Sequence, residues 1–170
     1  MSNSELVVFV QQLQTWGQEL GFQQLGISDT GLSQSEERLH EWLAAGNHGE
    51  MGWMASHGLK RSRPEQLEIG TKSIISVRMD YLPPNSADPE MVLNHPNLAY
   101  LSRYALGRDY HKVMRRKLQQ LAQKMQQNIG EFGYRAFVDS APVLEKPIAV
   151  KAGLGWLGKH SNLLNREAGS

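Results

Sequence analysis

Apolar residues recur at Leu6, Phe9, Leu13, Trp16 and Leu20, alternately three and four apart, which places them on one face of a helix. Ser2 and Glu5 stand at capping-box spacing, with Ser4 a competing cap, and Gly21 can take the left-handed conformation that stops the helix. Phe22 to Ser28 reads as a short strand. A second helix starts near Ser33, with Glu36 three positions on; it shows Leu39, Trp42 and Leu43 on one face and ends at Gly46. Asn47 to His57 has no clean period and reads as a short helix or an ordered loop, followed by a basic turn from Lys60 to Pro64. In Ser73 to Leu82 the alternation of Ile75, Val77, Met79 and Tyr81 predicts a strand, closed by Pro83-Pro84-Asn85. The polar loop that follows runs to about Asn97, a length more often functional or mobile than incidental.

Leu98 to Ala105 predicts another strand, closed by Gly107. The longest helix covers Asp109 to Ile129, with a stripe of Tyr110, Met114, Leu118, Leu121, Met125 and Ile129, and Gly130 ends it. Tyr134 to Val138 predicts a strand, and Val143 to Ala152 a short helix limited by Pro147. This order predicts a mixed α/β (α+β) fold, a mixed sheet with flanking helices. No repeat, low-complexity tract or internal linker interrupts it.

Composition narrows the function. A chain of 170 residues buries roughly 70% of its unfolded surface, enough for one core, and residues 1–170 are expected to form a single domain. No run approaches the ~18 apolar residues of a membrane span. The N-terminus lacks the basic region of a secretory signal, so a cytoplasmic location is expected. There is no cysteine, which excludes disulfides, thiolate chemistry and cysteine-held clusters within this chain. A net charge of +1 makes no global case for nucleic-acid binding, so local clusters have to carry any such case.

The densest chemistry lies between Arg135 and Asn162. Gly153-Leu-Gly155-Trp-Leu-Gly158 fits the dinucleotide pattern G-x-G-x-x-G, and Gly153 to His160 nearly fits a phosphate loop. Both patterns should leave a strand and open a helix, whereas here a helix precedes them. His160 also stands where a phosphate loop needs a hydroxyl. Glycines serving a helix stop and a tight turn account for Gly153 but poorly for Lys159-His160; such a turn can also set backbone N–H groups against another ligand. Asp139, at a strand-to-helix corner, has two readings. It caps the helix that follows, or it is a partly desolvated acid at a crevice, with a raised pKa suited to donating a proton. Glu145 reads as a helix-surface residue or a neighbour of a cofactor rather than a second acid.

Lys112, Arg115, Arg116 and Lys117 crowd the long helix, and no acidic residue occurs from Tyr110 to Gln127. That face is either solvated or a phosphate-binding surface, because it cannot neutralise itself through i,i+4 pairs. His48, His57 and His111 show no metal-site spacing and read as scattered polar residues, while Trp16 and Trp42 read as core.

Three blocks, MGWMASHGLKRSRP, SRYALGRDYHKVMRRKL and FVDSAPVLEKPIAVKAGLGWLGKHSNLLNREAGS, closely resemble the N-terminal half of bacterial epoxyqueuosine reductase, and the likeness covers essentially the whole chain. The resemblance implies a cobalamin-binding domain with a nitroreductase-like fold, related to reductive dehalogenases. It also implies reduction of epoxyqueuosine to queuosine at the tRNA wobble position. On the matching positions, Asp139 would be the proton donor beside the cobalt and a cofactor contact. Arg61 and Ser102 would contact cobalamin, and Gly158, Lys159 and His160 would line its other side. Lys112, Arg115 and Arg116 become candidate tRNA contacts on charge alone.

The family continues into a ferredoxin-like portion with two four-iron four-sulfur clusters and then helical repeats, and this chain carries no ligands for those clusters. The expectation is therefore a truncated, monomeric, non-membrane protein that holds cobalamin but does not turn over alone, since the full-length family draws electrons from an external donor. The alternatives are a non-catalytic module binding cobalamin or tRNA, and a flavin-dependent reductase suggested by fold likeness alone.

Overall fold

The computed structural model describes residues 2–82 and 85–167. Helix α1 (Asn3–Glu19) is fixed at its start by the expected capping box: the Glu5 N–H donates to Ser2 Oγ, and Glu5 accepts from the Ser2 N–H. Strand β1 (Gln24–Ser28) follows, then α2 (Ser33–Ala44), two 3-10 turns (Gly52–Met54 and Gly58–Arg61) and the one-turn helix α3 (Pro64–Leu67). Strand β2 (Ile74–Arg78) pairs antiparallel with β1, Gly26 opposite Ser76. After it come α4 (Pro89–Leu93), a 3-10 turn (Arg103–Ala105), the long helix α5 (Tyr110–Ile129) and α6 (Glu145–Lys151). A hairpin of two-residue strands, β3 (Trp156–Leu157) and β4 (Leu163–Leu164), follows.

The β1–β2 pair separates two cores, as strand alternation requires. On one side Leu25, Ile75 and Val77 meet Leu13 and Trp16 of α1 and Leu121 of α5. On the other, Ile74 meets Leu32, Val143 and Ile148 of α6, with Phe137 and Leu144 beside them. Burying such side chains is worth roughly 1.5–3 kcal/mol each, so α5 and α6 are clamped onto opposite faces of one two-stranded ribbon.

The mixed α/β character holds, but the described residues form two antiparallel pairs rather than one mixed sheet. Leu98–Ala105 is not a strand. It is irregular and ends in a 3-10 turn, because Leu98, Tyr100, Leu101 and Tyr104 stay exposed and no sheet offers them a surface. Tyr134–Val138 runs without a ladder and faces Ser73–Val77 across an apolar cavity of about 740 Å³. The strand expected from Phe22 begins at Gln24, and Phe22 is buried ahead of it. The strand expected from Ser73 to Leu82 is five residues long, and its Pro83-Pro84 stop lies outside the described residues.

The loop read as polar contains α4, capped by Asp88, whose Oδ1 accepts from the Glu90 and Met91 N–H groups. Trp42 is only half-buried, its ring tilted against His48. No helix among the described residues is long and apolar enough to cross a membrane.

Candidate active site

Asp139 sits where the chain leaves the core: Val138 is buried, while Asp139 and Ser140 are exposed. Its backbone is left-handed, φ 52°, a conformation uncommon outside glycine that has to be held by its surroundings. Two groups hold it. The Tyr110 hydroxyl donates to Asp139 Oδ2 at 2.5 Å, and the Asp139 N–H donates to Glu145 Oε1 at 3.1 Å. Asp139 therefore does not cap α6. The capping relationship runs the other way, with the carboxylate of the helix's first turn reaching back to the corner.

His111 stacks on Tyr110 with ring centres 4.0 Å apart. Its Nε2 lies 3.8 Å from Asp139 Oδ2 and its Nδ1 3.0 Å from Asp109 Oδ1. Asp109 is the N-cap of α5, accepting from the His111 N–H. One turn on, Arg115 Nη2 donates to Ser140 Oγ at 3.1 Å. The first turns of α5 and α6 thus close on the Asp139 corner from two sides.

The desolvated acid expected here exists, but it is Glu145. Asp139's side chain is 55% exposed, whereas Glu145 is half-buried and lines the apolar cavity. Burial, and then the charge of Asp139, push Glu145 up to about 7; the Asp139 N–H and His111 pull the other way. Tyr110 is pushed up to about 12, first because its hydroxyl proton is held by Asp139, then by burial.

The remaining residues read from the sequence gather unevenly around this corner. Arg61 is 7% exposed. Its Nε and Nη2 donate to the carbonyls of Met54 and Trp53, at 3.0 and 2.8 Å, and its guanidinium lies over the Trp53 ring. Its own carbonyl accepts from the Leu144 N–H at 2.9 Å. Arg61 thereby braces the turn carrying Trp53 and joins it to the start of α6.

Gly158, Lys159 and His160 form the β3–β4 turn, which is tied to α6 because Lys146 Nζ donates to the Ser161 carbonyl at 2.7 Å. Ser161 is left-handed (φ 66°), and His160 Nδ1 accepts from the Asn162 N–H. Ser102 is exposed at the start of a 3-10 turn. From that turn Tyr104, 54% exposed, meets Tyr110 edge-on at 6.0 Å and Tyr81 at 6.5 Å. Lys112 and Arg116 project from α5 into solvent, with the Lys112 side chain 87% exposed and 4.0 Å from Asp109.

Sequence reasoning missed Tyr110 and His111 as site residues, and it read Glu145 as a helix-surface residue or a neighbour of a cofactor rather than as a second acid. Tyr110 was counted in the helix stripe, and His111 among scattered histidines. The signal that points to Tyr110 and His111 is their place in the first turn of a helix capped by Asp109, where side chains project toward whatever the helix end meets.

The family model described as epoxyqueuosine reductase QueG, DUF1730, matches residues 61–140. The chain is 61% identical over 160 residues to an epoxyqueuosine reductase of Pseudomonas aeruginosa, covering 94% of this chain and 44% of that protein. It is 57% identical over 166 residues to one of Escherichia coli, covering 98% and 44%. The solved epoxyqueuosine reductase of Streptococcus thermophilus shares the fold, with a TM-score of 0.76 at 23% identity over 93% of this chain and 42% of that one. The chain therefore spans less than half the length of the proteins it matches, and it belongs to the epoxyqueuosine reductase family.

Proposed function

We propose that this chain is the cofactor-holding part of an oxidoreductase that reduces epoxyqueuosine to queuosine at the tRNA wobble position, with cobalamin as cofactor and Asp139 as proton donor. The observation that carries the reading is the exposed Asp139 carboxyl, fixed by Tyr110 at the inner end of an aromatic run, Tyr81–Tyr104–Tyr110, whose Tyr81 and Tyr104 are exposed. Such a surface fits a broad, flat macrocycle whose faces are apolar and whose rim carries amides. Ser102 lies beside the run and the Gly158–Lys159–His160 turn beside α6, so these residues would hold it. Arg61, its guanidinium committed to the Met54 and Trp53 carbonyls, would act by bracing the turn beside α6. The nitroreductase-like comparison belongs to this reading, since likeness at this level speaks for fold and not chemistry.

Cobalamin, when bound, would supply the reducing electrons. The chain's own part is to deliver a proton through Asp139 to the epoxide oxygen as its C–O bond opens. Charge builds on that oxygen only as the bond breaks, so a proton placed there lowers the barrier selectively. The left-handed backbone and the Tyr110 bond fix where the carboxyl points, which is the precision such a transfer needs. Lys112 and Arg116, on the same helix as Tyr110 and His111, give a tRNA backbone a cationic surface beside the site.

The test has two arms. Gel filtration of this chain with hydroxocobalamin should leave a corrinoid spectrum on the protein peak; a colourless peak rejects the cofactor, and a yellow protein as purified favours flavin instead. In a full-length relative, Asp139→Asn at the matching position should retain cobalamin and lose turnover. Undiminished activity rejects the acid.

A further inference from the structure

Removing an epoxide oxygen as water and leaving an alkene consumes two electrons and two protons. Cobalamin, when bound, would supply the electrons, and Asp139 would deliver a proton. A second proton has to reach the same oxygen before water can leave.

We propose that Glu145 is the proton reservoir that recharges Asp139, with Tyr110 the residue that fixes which Asp139 oxygen faces outward. The inference rests on Asp139 being the acid. Glu145 Oε1 already accepts from the Asp139 N–H at 3.1 Å, which sets the Glu145 carboxyl beside the Asp139 corner. Glu145 lines the apolar cavity on its inner side, so a proton lost from Asp139 is replaced from within the protein, out of competition with bulk water. Two carboxyls this close do not both ionise readily, and one proton is shared between them. Its buried position makes Glu145 the half of the pair that keeps a proton near neutrality.

In proton terms, Glu145–COOH passes the shared proton to the Asp139 carboxylate, which delivers it to the opening alkoxide. Solvent refills the pair, and the same path delivers the second proton as the hydroxyl leaves as water. The groups facing the pair are few. On α5 they are Tyr110, bonded to Asp139 Oδ2, His111 at 3.8 Å with Asp109 behind it, and Arg115 through Ser140. On α6, Lys146 is drawn away by the Ser161 carbonyl. The Tyr110 hydroxyl is not the source of the second proton, because its bond to Asp139 holds that proton more firmly than an ordinary phenol does.

The test combines carbon-13 NMR of this chain, labelled at the glutamate side-chain carboxyls, with turnover of a full-length relative substituted at the matching positions. One glutamate resonance should titrate near pH 7, as the Glu145 value requires, and be missing in Glu145→Gln. In Asp139→Asn that midpoint should fall by about one unit, a roughly tenfold change in proton affinity. A midpoint that does not move overturns the pairing. In the relative, Glu145→Gln, which keeps an acceptor for the Asp139 N–H, should lower kcat roughly tenfold with KM unchanged and should erase the pH–rate limb near neutrality, while Glu145→Asp restores part of it. A profile that keeps its limb also overturns the reservoir. Failure of the acid itself looks different: Asp139→Asn would retain turnover while the Glu145 midpoint still shifted.

Discussion

The Tyr110 hydroxyl donates to Asp139 Oδ2 at 2.5 Å, joining residues 29 positions apart. The long helix thereby reaches the corner where the chain leaves the core. Because Asp139 is the first cause of the raised Tyr110 value, the phenol reports on the carboxyl. In an absorbance titration of the phenolate, Asp139→Asn should bring one tyrosine down from about 12 toward the ordinary 10. Tyr110→Phe should cost about 1–2 kcal/mol of stability in denaturant unfolding, the worth of one hydrogen bond to a charged acceptor that is partly exposed.

Glu145 gives the fold a pH dependence of unusual sign for a carboxylate. Its folded value, about 7, lies above its ordinary 4.5, so the folded protein binds the extra proton between those limits. Its contribution is complete below pH 4.5 and is lost as pH rises through 7. Glu145→Gln should therefore unfold later than the parent at pH 8, by about 1–2 kcal/mol after discounting for solvent screening, and match it near pH 4.5. Urea melts at the two pH values check this; equal differences at both reject it.

A prediction of another kind concerns nucleic acid. Lys112 and Arg116 lie one helical turn apart on the open side of α5, whereas Arg115 is engaged with Ser140. Lys112→Glu with Arg116→Glu should weaken tRNA binding and reduce its salt slope by roughly one to two, leaving the Ser140 bond intact. Fluorescence anisotropy across a salt series measures it. An unchanged slope makes this face merely solvated.

A fourth prediction concerns packing. A Cβ added at Gly26 would meet the Ala152 carbonyl oxygen at 2.0 Å, backbone against side chain with no flexible group to yield. Gly26→Ala should cost about 2–3 kcal/mol, a fall of roughly 5–10 °C in Tm by calorimetry.

How far the sequence carried differs from element to element for physical reasons. Helices α1 and α5 were legible because their stripes and stops are local: Ser2 with Glu5, Asp109, and the positive φ of Gly21 and Gly130. Tyr134–Val138 has strand composition, but a strand also needs a neighbouring edge, and that is set by residues far away in the chain. The β3–β4 pair, two residues on each side, is too short to impose a period. Asp139 was legible as a corner acid. Its partners were not, because Tyr110 comes to it through tertiary packing and the burial of Glu145 depends on the cavity beyond it.

The contact of Gly26 with Ala152 also bears on how the site keeps its shape. Side chains can hop between rotamers, but backbone pressed on backbone has no such slack. Where β1 meets the end of α6, the two elements share a hard stop instead of a cushion. Helix α6 can neither sink toward the strand nor slide along it without breaking that seat. Glu145, seven residues before Ala152, thus has its height above the strand gauged from the far end of its helix. Core substitutions that merely refill volume should leave this spacing untouched, and a single methyl at Gly26 should alter it.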